Sequence, residues 1–284
     1  MKRCLDCEQR FDGRSWVCPG CGFAPTVLCD VPRFAAPMDD DGFDRRAFDR
    51  LAAAEHGSFW FRARNRLLSW SVERYFPAAQ SLFEVGCGTG YVLEGLRRTL
   101  PALRLVGGEL HSEGLRHASR RMPDVELLQL DARRVPFDSE FDVVGAFDVL
   151  EHIDDDERVL AELFTAAKPN GGLILTVPQH PWLWSAADEY GEHKRRYRRS
   201  ELVAKTTAAG FTVRRVTSFV SLLLPVMVSV RLLGRIRRPD PFSELRNSRA
   251  DRGLERVLDL ERALILRGTD LPLGGSLLLV ATRT

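Results

Sequence analysis

Three groups of residues in this 284-residue chain have types and spacings that could do chemistry. The first is Cys4-x-x-Cys7 with Cys18-Pro-Gly-Cys21, two knuckles separated by ten residues. Four soft thiolates so placed can close a tetrahedral Zn2+ site between tight turns, and Gly13 and Gly22 give those turns backbone freedom. A ribbon this small has no core, so its fold would depend on the metal. The second group is Glu84-Val-Gly86-Cys-Gly88-Thr-Gly90-Tyr91. Glycines remove Cβ atoms where a backbone turns tightly and approaches a ligand. The third is a set of acids and histidines that follow apolar runs: Glu109, Asp131, Asp148, His152, His180 and His193. A histidine of near-neutral pKa is the natural base for a hydroxyl or amine.

The elements that must position these groups follow from hydrophobic patterning. Leu82, Phe83 and Val85 run into the glycines, and Val92, Leu93, Leu96 and Leu100 continue at helical spacing. This reads as strand, turn and helix, the first unit of a doubly wound α/β sheet. Such a loop alone serves NAD, FAD and nucleotide sites equally. Glu84 narrows the choice, because a carboxylate before the glycines repels a pyrophosphate. No Lys-Ser/Thr follows, which excludes a P-loop. Tyr91 stands where the NAD pattern wants a small residue. The ligand that fits carries no phosphate and a positive end, as does S-adenosylmethionine with its ammonium, sulfonium and adenosine.

Glu84–Gly90 resembles motif I of the class I S-adenosylmethionine-dependent methyltransferases of the type 11/12 kind, and the resemblance runs from about Leu82 to Leu279. It implies a Rossmann-like, doubly wound seven-stranded sheet in the order 3-2-1-4-5-7-6 with the last strand antiparallel. It implies that Glu84, Gly86, Gly88 and Gly90 surround the cofactor. Glu109, at the end of LRLVGGEL, would bind the ribose hydroxyls. Asp131 would face the adenine amino group, with the Ala132 amide at the ring edge, and Asp148 would stand near cofactor or acceptor. Asp142 resembles the acid that opens the family's FD-x-V strand, a structural role. Two helices over 44–76 would cover the cofactor, with Arg62, Asn65 and Arg66 on one face, either holding an anion or simply solvated. Lys168-Pro-Asn-Gly-Gly172 resembles the family's break before strand five. The product would be S-adenosylhomocysteine.

Residues 178–199 leave the edge of the sheet where ligands bind in open α/β folds. They concentrate His180, Trp182, Trp184, Asp188, Tyr190, His193 and Tyr197. His180 and His193 are the first candidates for the base. His152 is the next, able to contact substrate or to pack at a helix entry, and Asp188 and Tyr190 stand behind it. The run Lys194, Arg195, Arg196, Arg198, Arg199 suits either a solvated surface or an anionic acceptor. Residues 219–238, apolar then basic, suit a peripheral membrane contact, a dimer contact, an acceptor pocket or a buried insertion.

The reading is therefore a zinc ribbon over 1–30, a proline-rich and acidic linker over 31–43, and a methyltransferase domain over 44–284. The expected function is O- or N-methylation of a small-molecule, lipid-linked or saccharide acceptor. RNA methylation, with ribbon and arginines as grip, stands second. Net charge is only +2, and the ribbon's basic residues are balanced by Asp6, Glu8 and Asp12, which sets nucleic acid behind a small acceptor. A non-catalytic binding module stands third. At 28% charged and 44% hydrophobic residues the composition is that of a soluble globular protein, and MKRCLDCEQR is no signal peptide. A cytoplasmic, reducing compartment, with or without membrane association, is expected.

Overall fold

The protein was analysed as a computed structural model, which describes residues 1–35, 46–237 and 251–284. The glycine loop lies where patterning puts it. Strand β5 (Ser81–Val85) is buried along its whole length, and helix α3 (Tyr91–Thr99) starts immediately after Gly90. Ahead of β5, in chain order, come β1 (Lys2–Arg3), β2 (Arg10–Phe11), β3 (Thr26–Leu28), β4 (Val31–Arg33), α1 (Arg46–Ala54) and α2 (Phe59–Tyr75). After α3 the alternation continues with β6 (Arg104–Glu109), α4 (Ser112–Arg121), β7 (Glu126–Gln129), β8 (Phe141–Phe147), α5 (Asp156–Ala166) and β9 (Ala167–Pro178). The last part holds α6 (Ala186–Tyr190), α7 (Arg199–Ala208), β10 (Thr212–Phe219), α8 (Leu224–Arg237), α9 (Asp251–Leu266) and β11 (Ser276–Thr282).

The large sheet runs β10-β11-β9-β8-β5-β6-β7-β4-β3. Strands β7, β6, β5, β8 and β9 are mutually parallel, and β11 lies antiparallel between β9 and β10. This is the expected seven-stranded order with two strands added beyond β7. Because successive side chains alternate faces, β5 feeds two cores. Phe83 and Val85 pack with Phe137, Phe141, Leu160 and Leu163 on one face. Leu82 packs with Leu68, Leu93, Leu105 and Leu278 on the other. Full burial of each such side chain contributes about 1.5–3 kcal/mol.

Three expectations need correction. Thr26–Leu28 and Val31–Arg33 pair as an antiparallel hairpin, and Arg33 of β4 pairs in parallel with Gln129 of β7. The boundary drawn between ribbon and linker at 30/31 thus falls inside a hairpin of the sheet. Cys29 and Asp30 turn it with positive φ (50° and 63°). The rest of the linker, from 36, lies outside the described residues. Second, Lys168–Gly172 does not break the chain before a strand. It belongs to β9, whose ladder with β8 shifts register between Phe141 and Val143, and Asn170 takes φ 63° there. Third, Arg62 and Arg66 are not free to hold a ligand. Both pair with Glu255 of α9, while Asn65 is buried and donates to the Tyr91 carbonyl.

The N-terminal knuckles dock on the domain through their basic residues, the same ones the RNA reading needs as its grip. Arg3 pairs with Glu162 of α5 and donates to the Val135 carbonyl; Arg10 reaches Asp138 at 2.8 Å. Lys2 donates to the carbonyls of Gly13, Arg14 and Ser15. Among the described residues no helix is long and apolar enough to cross a membrane. In α8, Val226 and Val230 are exposed. The side chains of 232–237, and Arg238 altogether, lie outside the described residues, so Arg235, Arg237 and Arg238 carry no structural reading.

Candidate active site

The site gathers at the carboxyl ends of β5, β6, β8 and β9. Gly86, Gly88 and Gly90 all take positive φ (68°, 53° and 78°), the left-handed region that disfavours side chains. A Cβ on Gly86 would lie 2.4 Å from a Val149 methyl, and one on Gly90 would lie 3.1 Å from Ala118 Cα. The loop therefore needs glycine both for its turn and for close packing. Phe48 of α1 stands over Gly88, so the first covering helix lies against the loop.

Glu84 is only 2% exposed and pairs in register with Gly107 on one side and Gly145 on the other. Its Oε2 is buried without a hydrogen-bond partner. Burial, opposed by the field of Arg64 and aided by Glu109 and Glu55, holds its carboxyl well above the usual range. A buried acid with an unfilled acceptor costs stability unless something cationic completes it. Glu109 closes the end of β6. Its carboxylate accepts from the amides of Gly88 (2.9 Å), Leu110 (2.8 Å) and His111 (2.9 Å), so it welds the glycine loop to β6 and retains one of its ~four lone-pair sites. Asp131 follows β7 but is held by Arg133, whose guanidinium and amide both donate to it. Burial works to raise its pKa, and the hydrogen bonds from Arg133 bring it below the usual carboxylate value. Ala132 beside it is buried.

At the end of β8, Asp148 takes φ 58°, a strained conformation for a side chain with a Cβ. It pairs with the buried Arg64 of α2 and accepts from Thr176 Oγ1 at 3.3 Å. Sequence reasoning missed Arg64, because its pattern position among Trp60, Phe61 and Leu67 gives no sign that an arginine faces inward. The guanidinium lies 4.6 Å from the centre of the Trp60 ring. Asp142, by contrast, is the structural acid expected. It accepts from the amides of Gln80 and Ser81, from Ser81 Oγ, and from Lys168 Nζ.

A 3-10 turn at Leu150–His152 follows Asp148. Here the structure joins two of the three histidines: His152 and His193 meet edge to face with ring centres 4.7 Å apart, beside Glu151. His193 Nδ1 lies 2.9 Å from Asp188 Oδ1. Burial would raise the Asp188 pKa, but hydrogen bonds from His193 and Arg196 hold it far below the usual range. Asp188 also caps its own helix, α6, in a reciprocal box with Ser185. Burial and the neighbouring His193 push the His152 pKa down to about 3, so its imidazole is neutral. His180 stands apart. It takes φ 64°, stacks on the exposed Trp182, and its Nε2 is buried without a partner. Tyr190 is tied to the covering helix by a 2.9 Å hydrogen bond from Arg50.

The basic run is mostly structural. Arg196 is buried and donates to Asp188 and to the carbonyls of Gln179 and Gly275. Arg195 pairs with Asp154 and Asp156, and Arg199 donates to the Leu271 carbonyl. Lys194 and Arg198 are exposed.

The cysteine cluster fits a tetrahedral metal. All six cysteines are free thiols, and the four ribbon sulfurs lie within 4.8 Å of one another. Cys4–Cys21 and Cys7–Cys18 each approach to 3.6 Å. Zn–S bonds of about 2.3 Å in a tetrahedron put sulfurs about 3.8 Å apart. The amides of Glu8 and Gly22 donate back to the carbonyls of Cys4 and Cys18, closing a tight turn at each knuckle.

Residues 83–175 match the family model described as a methyltransferase domain. A probable S-adenosylmethionine-dependent methyltransferase of Mycolicibacterium smegmatis is 26% identical over 159 residues, 55% of this chain and 60% of that protein. A ubiquinone biosynthesis O-methyltransferase of Pseudomonas fluorescens is 29% identical over 165 residues, 52% of this chain and 71% of that protein. Among solved structures, a chain from the complex between the Haloferax volcanii Trm112 methyltransferase activator and a candidate methyltransferase superposes with TM-score 0.54 at 20% identity. That match covers 83% of this chain and 97% of the other. With the strand order and the glycine loop above, these matches identify the chain as one that carries a class I S-adenosylmethionine-dependent methyltransferase domain.

Proposed function

We propose that the protein transfers a methyl group from S-adenosylmethionine to a hydroxyl or amine of a small-molecule acceptor. The observation that carries this reading is the buried Glu84 with an unfilled oxygen beside the glycine loop. That carboxylate repels the phosphates of a nucleotide, whereas it attracts an ammonium or sulfonium. When bound, S-adenosylmethionine supplies a methyl on a good, neutral leaving group, and Glu84, Gly86, Gly88, Gly90 and the free lone pair of Glu109 would hold it. Asp131 and Ala132 border the adenine end and Asp148 the methyl end.

The residues of this chain then have to aim the acceptor and draw off its proton. Alignment of this sort can supply ~7–11 kcal/mol. The 178–199 loop supplies the acceptor wall, and the Glu151–His152–His193 cluster, with His193 held in one tautomer by Asp188, supplies the proton's exit. His180 on Trp182 is a wall residue in this reading. A small acceptor is favoured over RNA because Arg3 and Arg10 of the ribbon and Arg195, Arg196 and Arg199 of the loop are spent on internal partners. The names of relatives such as the ubiquinone biosynthesis O-methyltransferase point the same way. The four-cysteine ribbon is proposed to hold one structural Zn2+.

The test is transfer of labelled methyl from the cofactor into separate pools of small metabolites, lipid extract and RNA. Label in the first or second pool, lost in His193→Ala while S-adenosylhomocysteine still binds, supports the reading. Label in RNA alone, or cofactor binding with no transfer to any pool, overturns it.

A further inference from the structure

Glu151 is 1% exposed, yet neither of its carboxylate oxygens has a hydrogen-bond partner. It is not stranded in an apolar core. Its oxygens, an imidazole nitrogen of His152 and one of His193 all lie within 4.8 Å of one another. We propose that Glu151, His152 and His193 form a binding site for a divalent cation at the acceptor side of the domain, which rests on the reading of that site given above.

The ligand chemistry is built on both sides of the cluster. His193 meets Asp188 through Nδ1, which leaves Nε2 with its lone pair available to a ligand. Asp188 is itself 1% exposed and anchored by Arg196 at 2.6 Å and by the Ser185 amide and hydroxyl. A carboxylate behind a histidine is the arrangement that fixes tautomer and ring orientation at metal centres. The His152 ring also meets the Gly191 backbone. The loop is pinned to the turn that carries Glu151 by the Lys194 amide, which donates to the Glu151 carbonyl at 2.6 Å. Ligand bonds of about 2.1 Å in a tetrahedron put neighbouring donor atoms about 3.4 Å apart, so atoms at the 4.8 Å limit would draw in by about 1.4 Å.

Two imidazoles and one carboxylate suit a borderline first-row cation such as Fe2+, Co2+ or Zn2+, and accept the harder Mn2+, better than Mg2+ or Ca2+, which prefer all-oxygen shells. Three protein ligands leave positions open for an acceptor oxygen. A hydroxyl bound there loses its proton to solvent more readily. Its lone pair then forms the O–CH3 bond as the S–CH3 bond breaks, the electron pair staying on sulfur. With the cation in place His193 is a ligand, and the cation takes over the base's task.

Mn2+ is the probe, because thiolates of the ribbon discriminate against it. The full chain is loaded with one equivalent of Zn2+, which the four ribbon thiolates take first, and titrated with Mn2+ while free Mn2+ is read by electron paramagnetic resonance, with no acceptor present. The expected result is one Mn2+ per chain, weakened at least 10-fold in Glu151→Gln and in His193→Ala and unchanged in His56→Ala, which removes an exposed imidazole elsewhere. Melting curves and S-adenosylhomocysteine binding equal to wild type show that the variants are folded. No Mn2+ bound, or binding indifferent to Glu151 and His193, overturns the cation site. Methyl transfer that proceeds equally with and without chelator also overturns its role in the reaction, and leaves the methyltransferase reading standing. One Mn2+ bound in a protein that methylates nothing upholds the site and overturns the methyltransferase reading.

Discussion

Replacing Glu84 by glutamine separates cofactor binding from stability, because the two should move in opposite directions. In the free protein Glu84 is enclosed, has one unfilled oxygen, and is held protonated well above the ordinary carboxylate range by burial. Glutamine keeps the shape and removes the ionisable group, whose suppressed ionisation costs stability, so melting temperature should hold or rise. The cofactor's cationic end loses a charge-assisted hydrogen bond, worth about 1.5–3 kcal/mol, or roughly a 10- to 150-fold weaker affinity. The sign of the pH effect follows from the raised pKa. Binding a cation needs the ionised acid, so it expels a proton below the free-state pKa, and wild-type affinity should climb with pH until that pKa is passed. The variant's affinity should be flat over the same range. For the free protein, an acid whose folded pKa is raised costs stability as pH rises above its unfolded value, so wild type should lose ground to the variant from about pH 4.5 upward. Isothermal titration calorimetry with S-adenosylmethionine from pH 5 to 8 reads the first effect and thermal unfolding the second. A glutamine variant that binds within twofold of wild type, with the same pH slope, would refute the electrostatic argument for the cofactor.

Gly86→Ala places a Cβ 2.4 Å from the Val149 side chain at φ 68°. It should lower stability by about 1–3 kcal/mol and weaken cofactor binding, read by melting with and without S-adenosylhomocysteine. The ribbon should carry one zinc per chain by elemental analysis, and Cys18→Ser should lose it and lower the melting temperature of the whole protein, since Arg3 and Arg10 bind the ribbon to the domain. Asp156 accepts from Tyr197 at 2.6 Å and Lys205 at 2.7 Å. Burial opposes ionisation there, but these bonds and Arg195 bring its pKa below the usual carboxylate value. Its stabilisation is therefore complete above the unfolded carboxylate pKa and fades as pH falls through the lower folded value. Asp156→Asn should cost about 3 kcal/mol at pH 7 and progressively less below about pH 4 in denaturant melts.

The scaffold was legible because local and global signals agree in it. Phe83, Val85 and the three glycines could not be read as anything but strand and turn, and each following apolar run was bounded by its own acid or glycine. What escaped notice is what depends on side chains meeting across long sequence distances. Arg64 and Arg196 look like surface charges in sequence and are buried pairs with Asp148 and Asp188. Arg62 and Arg66 looked available until α9, almost two hundred residues on, brought Glu255 to them. The same holds for the candidate site. His152 and His193 were each singled out alone, on spacing from a strand end. Their meeting, and the unpartnered Glu151 between them, depends on how the 178–199 loop folds back over the turn after β8. Lys168–Gly172 misled for a different reason: proline, asparagine and glycine signal a turn, but a bulge at the exposed start of a long strand uses the same residues.

The hairpin Thr26–Arg33 gives the cysteine cluster a second consequence. Strand β7 would otherwise end the parallel sheet with a row of unsatisfied amides and carbonyls, a template on which another chain could pair. The hairpin and the Phe34 amide, which donates to the Gln129 carbonyl at 2.8 Å, cover part of that row. The guard is fastened upstream through the thiolate knuckles. Chelation should therefore do more than melt a small appendage: it should uncover a sticky flank and make the protein self-associate, a solubility role for the metal that is separate from any role in the chemistry.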